Sequence, residues 1–155
     1  MKIQFVCRGN TFRSRLAEAL MRRRFPNHLI SSSGLEADLC LNGHITWYGQ
    51  WIATKESLGS FVFPTWRKTD WSELASQDIV ICMDDSIADE VRASVPSLAD
   101  MRVFDISDVN DENGIFHDDN LEVELSLLRQ TREIFRQMKE SVEGLDIGPG
   151  ISATM

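Results

Sequence analysis

Residues 2–14 read KIQFVCRGNTFRS, and the fold turns on how this stretch is parsed. Lys2 to Cys7 is a short apolar run with β-branched and aromatic members, the composition of a buried strand. Arg8-Gly9-Asn10-Thr11 is a polar turn whose glycine opens backbone angles closed to other residues. Beyond it Leu16, Ala19 and Leu20 recur at helical spacing, with Ser14 as a suitable N-cap and Glu18 in the early turns. Strand, loop and helix are therefore predicted in immediate succession, with Pro26 and Asn27 ending the helix.

The same alternation continues along the chain. A second strand is predicted from His28 to Ser33, closing at Gly34. Residues 35–67 hold Trp47, Tyr48, Trp51 and Trp66, with a helix expected from Trp47 to Leu58. A short helix near Asp70 to Ser76 precedes Asp78-Ile79-Val80-Ile81-Cys82-Met83, the clearest buried strand. Asp84 opens a helix to about Val95, and Met101 to Phe104 reads as a fourth strand. An acidic loop, Asp105 to Asp118, leads into an amphipathic helix from about Asn120 to Val142, with Leu121, Leu125, Leu128, Ile134 and Met138 near one face. Strands alternating with helices predict an α/β fold: one domain with a parallel sheet covered on both faces. The domain should span 1–143, leaving 144–155, rich in glycine and small residues, as a flexible C-terminal tail. Ligands of such sheets bind beyond the carboxyl ends of the strands. Cys7 stands at the end of the first strand, and Asp105 and Asp108 follow the last.

Composition narrows the function classes. The 155 residues carry a formal net charge of −8, which disfavours nucleic acid as a partner. Yet arginines 8, 13, 15, 22, 23 and 24 crowd the start, where an anion could bind. No apolar run approaches the roughly 20 residues that a membrane span needs, and the first residues lack a signal peptide's pattern. The cytoplasm is the expected compartment. Cys7, Cys40 and Cys82 include no CxxC pair, and His28, His44 and His117 form no metal-binding helical pair. Neither a metal nor another cofactor is expected.

Cys7 and Arg13 bracket a loop between strand and helix. Such a loop can turn successive backbone N–H groups toward one point, and the positive end of the helix dipole adds to them. An anion site results. A cysteine held there as thiolate is a strong nucleophile. Arg13 offers a planar fork that matches two phosphate oxygens. Ser14 can donate a hydrogen bond to the thiolate.

The segment resembles the low-molecular-weight protein tyrosine phosphatases, whose loop reads CxGNxCRS. Cys7, Gly9, Asn10, Arg13 and Ser14 fit it, Ala17-Glu18-Ala19-Leu20 matches the usual continuation, and weaker likeness runs through Ser32-Ser33-Gly34, Asp78 to Met83 and Asp105 to Asp108. The resemblance implies a four-stranded sheet in the order 2-1-3-4 and a two-step hydrolysis through a cysteinyl-phosphate. It assigns catalysis to Cys7, Arg13 and an aspartate, and phosphate binding to Arg8, Gly9, Asn10, Thr11, Phe12 and Ser14. Inorganic phosphate or sulfate should fit the same loop. In the family the catalytic aspartate precedes a proline. Asp108, followed here by Val109, is the best match, with Asp105 as its competitor. Phe12 replaces the second loop cysteine, and Arg15 replaces a common proline.

For substrate, the resemblance implies a phosphorylated protein or a small phosphoester, with phosphotyrosine first. Thr11 stands where related protein-arginine phosphatases have threonine, so phosphoarginine is an alternative. Arsenate reduction would need relay cysteines, for which Cys82 is the one candidate. A phosphate-binding module without catalysis is the remaining alternative.

Overall fold

The computed structural model describes residues 1–39, 43–109 and 121–148. Four strands, β1 (Lys2–Cys7), β2 (Leu29–Gly34), β3 (Ile79–Cys82) and β4 (Met101–Val103), form one sheet in the order β2-β1-β3-β4. Every pairing is parallel, as the predicted crossovers require. The helices are α1 (Arg13–Arg24), α2 (Trp47–Lys55), α3 (Trp71–Ala75), α4 (Asp85–Ser94) and α5 (Leu121–Glu143).

Side-chain alternation in the central strands decides what covers each face. Ile3, Phe5 and Cys7 of β1 and Ile79 and Ile81 of β3 point into a core built with Leu16 and Leu20 of α1 and Ile134, Phe135 and Met138 of α5. Val6, Val80 and Cys82 point the other way, onto Ile87, Ala88 and Val91 of α4 and Leu74 of α3. Cys7 and Cys82 thus belong to opposite sides of the sheet.

Three expectations need adjustment. Ser14 is not the N-cap of α1: the helix begins at Arg13, Phe12 holds the cap position, and no side chain caps it. Ser14 turns inward to the loop instead. The helix predicted to reach Leu58 stops at Lys55, because Ser57 takes a left-handed φ of 58° and the Leu58 N–H returns to the Ala53 carbonyl at 2.8 Å. Part of the predicted tail is docked, since Leu145 packs on the main core and Ile147 is buried. Residues 149–155, and most of the acidic loop with its continuation to residue 120, lie outside the described residues, as do Cys40 and His117.

Past β4 the ladder is extended by Phe104 N–H to the Cys82 carbonyl at 3.0 Å and by Ile106 N–H to the Met83 carbonyl at 2.7 Å. This extension carries residues 105–108 to the sheet edge where β1 ends.

Candidate active site

Cys7 leaves β1 buried, 3% exposed. Its Sγ accepts the Asn10 N–H at 3.2 Å and lies 2.9 Å from the Ser14 hydroxyl. Asn10 makes the turn with φ of 55°, a left-handed conformation that asparagine tolerates better than most residues. Its side chain is fully engaged: Nδ2 donates to Ser14 Oγ at 2.8 Å and Ser32 Oγ at 2.9 Å, and Oδ1 accepts the Arg67 N–H at 2.7 Å. Ser32 in turn donates to buried Glu18, which pairs with Arg22 and Arg67 at 2.9 and 2.8 Å. Burial pushes the Glu18 carboxyl up from its ordinary pKa, although Ser32, Arg67 and Arg22 oppose the shift.

Gly34 explains how the loop can press so close to β2. A Cβ there would sit 2.7 Å from Asn10 N and 2.8 Å from Arg8 O and Gly9 C, all backbone atoms. Only glycine leaves room.

Arg13 is 4% exposed, and its Nη1 donates to Asp84 Oδ2 and to the Ile106 carbonyl, both at 2.8 Å. Among the described residues neither Nε nor Nη2 donates a hydrogen bond to the protein, and Nη2 lies 3.7 Å from Asp108 Oδ2. One edge of the guanidinium is therefore tied back while the other keeps its donors for an oxyanion. Burial works against the Arg13 charge, yet Asp108, Cys7 and Asp84 together raise its pKa. Burial likewise opposes the Asp84 carboxylate, but Arg13, Ser86 and the Ile87 N–H bring its pKa down to about 2. Asp84 also caps α4 through Oδ1, which accepts the Ile87 N–H at 3.1 Å.

Residues 7–13 wrap a cavity of about 100 Å³ that Tyr48 and Asp108 close from the side. Asp108 is half exposed on its wall, whereas Asp105, with a left-handed φ of 55°, does not line it. Thr11 and Phe12 are buried, and Phe12 meets Tyr48 edge-on at 4.9 Å. Trp47 stands half exposed against the outer side of Tyr48. Arg8, at the rim, reaches Glu90 at 2.5 Å and Glu36 at 3.8 Å. Eight of the nine sequence-predicted site residues thus line one cavity, and Ser14 stands behind it on Cys7.

The sequence reading passed over Asp84, Tyr48 and Arg67. Asp84 was legible in principle, since it follows the carboxyl end of β3, the edge at which ligands of parallel sheets bind. Tyr48 and Arg67 come from the segment whose path no periodicity fixed. Among the described residues no His, Cys, Asp or Glu cluster could hold a metal ion, and no helix is long and apolar enough to cross a membrane.

A thiol at a strand end, a tight strand-to-helix loop and a clamped arginine share one cavity. Residues 2–145 match the low molecular weight phosphotyrosine protein phosphatase family, and the chain belongs to it. The low molecular weight protein-tyrosine-phosphatase PtpB of Staphylococcus aureus is 54% identical over 37 residues, 24% of this chain and 27% of that protein. The match therefore spans only about a quarter of the curated relatives' length. The fold is shared with Wzb of Vibrio vulnificus in complex with benzylphosphonate, at TM-score 0.70 and 15% identity over 93% of this chain and 98% of that one. It is also shared with the Drosophila arginine phosphatase, at TM-score 0.68 and 21% identity over 92% of this chain and 94% of that one.

Proposed function

We propose that this chain is a protein phosphatase that hydrolyses phosphotyrosine, with Cys7 as nucleophile, Arg13 as phosphate clamp and Asp108 as general acid and base. The observation that carries the reading is the position of Cys7 Sγ, between the Asn10 N–H and the Ser14 hydroxyl at the floor of a cavity edged by Arg13 and Asp108.

The thiolate attacks phosphorus as the bond to the tyrosyl oxygen breaks, and Asp108 donates a proton to that oxygen. Arg13 and the loop N–H groups, Gly9 to Phe12 among them, hold the oxygens that gain charge. Water then attacks the cysteinyl-phosphate, giving its proton to the Asp108 carboxylate, and inorganic phosphate leaves. The departing thiolate is stabilised by Ser14 and Asn10. Arg8, held at the rim by Glu90, flanks the entering chain.

Tyr48 and Phe12 favour an aromatic leaving group, because their rings supply an apolar flank beside the cavity. Thr11 lines the same cavity at the position where related protein-arginine phosphatases have threonine, and this resemblance keeps phosphoarginine as a second reading. Arsenate reduction is disfavoured: Cys82 is buried in the core on the far side of the sheet, and burial pushes its thiol up to about 12. The free thiols of Cys7 and Cys82 suit the reducing cytoplasm.

The test is turnover of p-nitrophenyl phosphate, then of phosphotyrosine and phosphoarginine peptides. Cys7→Ser should abolish release, and Arg13→Ala should lower it by roughly 10²–10³-fold. Binding of phosphate without turnover would leave a recognition module, and faster cleavage of the phosphoarginine peptide would reassign the substrate.

A further inference from the structure

Arg15 is the largest fully buried side chain of the protein's described residues, 1% exposed on the first turn of α1. Its guanidinium donates to three backbone carbonyls from separate segments. Nη1 reaches the Asn10 carbonyl at 3.3 Å and also the carbonyl of His44, and Nη2 reaches that of Phe63. Nε has no partner among the described residues. No carboxylate pairs with Arg15 among them either, because the nearby buried Glu18 is taken by Arg22 and Arg67.

A buried guanidinium without a carboxylate partner is costly unless negative charge is gathered near it. The charged groups that face Arg15 are Glu18, Arg67 and Cys7. Burial and Arg67 weaken its charge; Glu18 and Cys7 favour it. The carbonyl that it holds belongs to Asn10, the residue whose N–H meets Cys7 Sγ. His44, in turn, lies two residues before Thr46, whose N–H donates to the Thr11 carbonyl at 3.1 Å and which caps α2, the helix that carries Trp47 and Tyr48.

We infer that Arg15 is a positioning residue of the phosphate site: its fork locks the Asn10 corner of the loop to the segments that carry the aromatic wall, and its charge stabilises negative charge at Cys7. The inference rests on the phosphatase reading above. A proline at this position could supply neither the charge nor the three donors. Lysine would keep the charge and lose the fork.

The test compares the full chain with Arg15→Met and Arg15→Lys. Circular dichroism and thermal melting establish folding. Alkylation of Cys7 by iodoacetamide, followed by mass spectrometry of its peptide, reads thiolate reactivity without any substrate. Arg15→Met should slow alkylation about tenfold at pH 6 and far less at pH 9, because the thiolate is the reacting form. Arg15→Lys should retain the alkylation rate and raise KM severalfold for a phosphotyrosine peptide, with a smaller fall in kcat. Wild-type alkylation in Arg15→Met at both pH values would overturn the electrostatic role, and an unchanged KM in Arg15→Lys would overturn the positioning role. If Arg15→Met does not fold, the KM of Arg15→Lys decides. If the unmodified chain turns over neither this peptide nor p-nitrophenyl phosphate, the phosphatase reading falls, while the alkylation comparison still judges Arg15.

Discussion

Arg13 and Asp84 are joined at 2.8 Å through the same guanidinium nitrogen that holds the Ile106 carbonyl, so two groups of the protein fix the direction of the arginine. β1 ends in the loop that leads to Arg13, β3 runs into Asp84, and the extension of β4 supplies Ile106. The parallel sheet brings all three to one edge.

Replacing Asp84 with asparagine keeps a capping oxygen for α4 and removes the charge that restrains Arg13. kcat/KM should fall about tenfold, the size expected when an orienting partner is lost. The same variant has a signature in acid. Asp84 is held at about 2, below its ordinary 3.8, so its stabilising contribution is present above pH 4 and disappears as the pH falls toward 2. Urea unfolding should show the wild type losing on the order of 1–2 kcal/mol across that window relative to Asp84→Asn.

Asp108 and Asp105 should separate cleanly in kinetics. Asp108→Asn is expected to lower kcat on a phosphotyrosine peptide by roughly 10²–10⁴-fold, with a smaller loss on p-nitrophenyl phosphate, whose leaving group needs less protonation. Asp105→Asn should remain within about threefold, as for a residue outside the cavity. The reverse order would transfer the acid role to Asp105.

Ser14→Ala removes the hydroxyl that lies 2.9 Å from Cys7 Sγ. Thiolate departure from the cysteinyl-phosphate should then become the slow step. Stopped-flow records should show a burst of nitrophenol followed by a steady rate about tenfold below that of the wild type. A wild-type steady rate would exclude this role.

Gly34→Ala forces a methyl group against three loop backbone atoms, the nearest 2.7 Å away. Chemical denaturation should show a loss of about 1–3 kcal/mol, the usual cost of overpacking. Turnover should fall in the folded fraction too, because the displaced atoms belong to Arg8, Gly9 and Asn10. Full activity per folded molecule would show that the loop can shift without consequence.

Much of this was legible in the chain. Each strand and α-helix was anticipated because apolar runs and helical periodicity are local signals, and Gly9 and Pro26 mark breaks between them, whereas the short 3-10 turns at Ala37–Leu39 and Gly59–Phe61 were not. Cys7, Arg13 and the intervening loop could be read together because they are neighbours in sequence. Ser14 shows the limit of local reading. A serine at a helix start is a good cap by propensity, but a thiol and the Asn10 amide compete for its hydroxyl and win.

By itself the sequence determined the elements and their parallel arrangement, and it set Cys7 and Arg13 at the two ends of one loop, since these rest on residues a few positions apart. Only the tertiary structure decided which distant groups complete the site: Asp84 behind Arg13, Asp108 rather than Asp105 on the cavity wall, Tyr48 beside Phe12, and Arg15 among three backbone carbonyls. Those choices depend on how strand ends converge and which chain segments cross the loop. No spacing along the chain encodes that convergence.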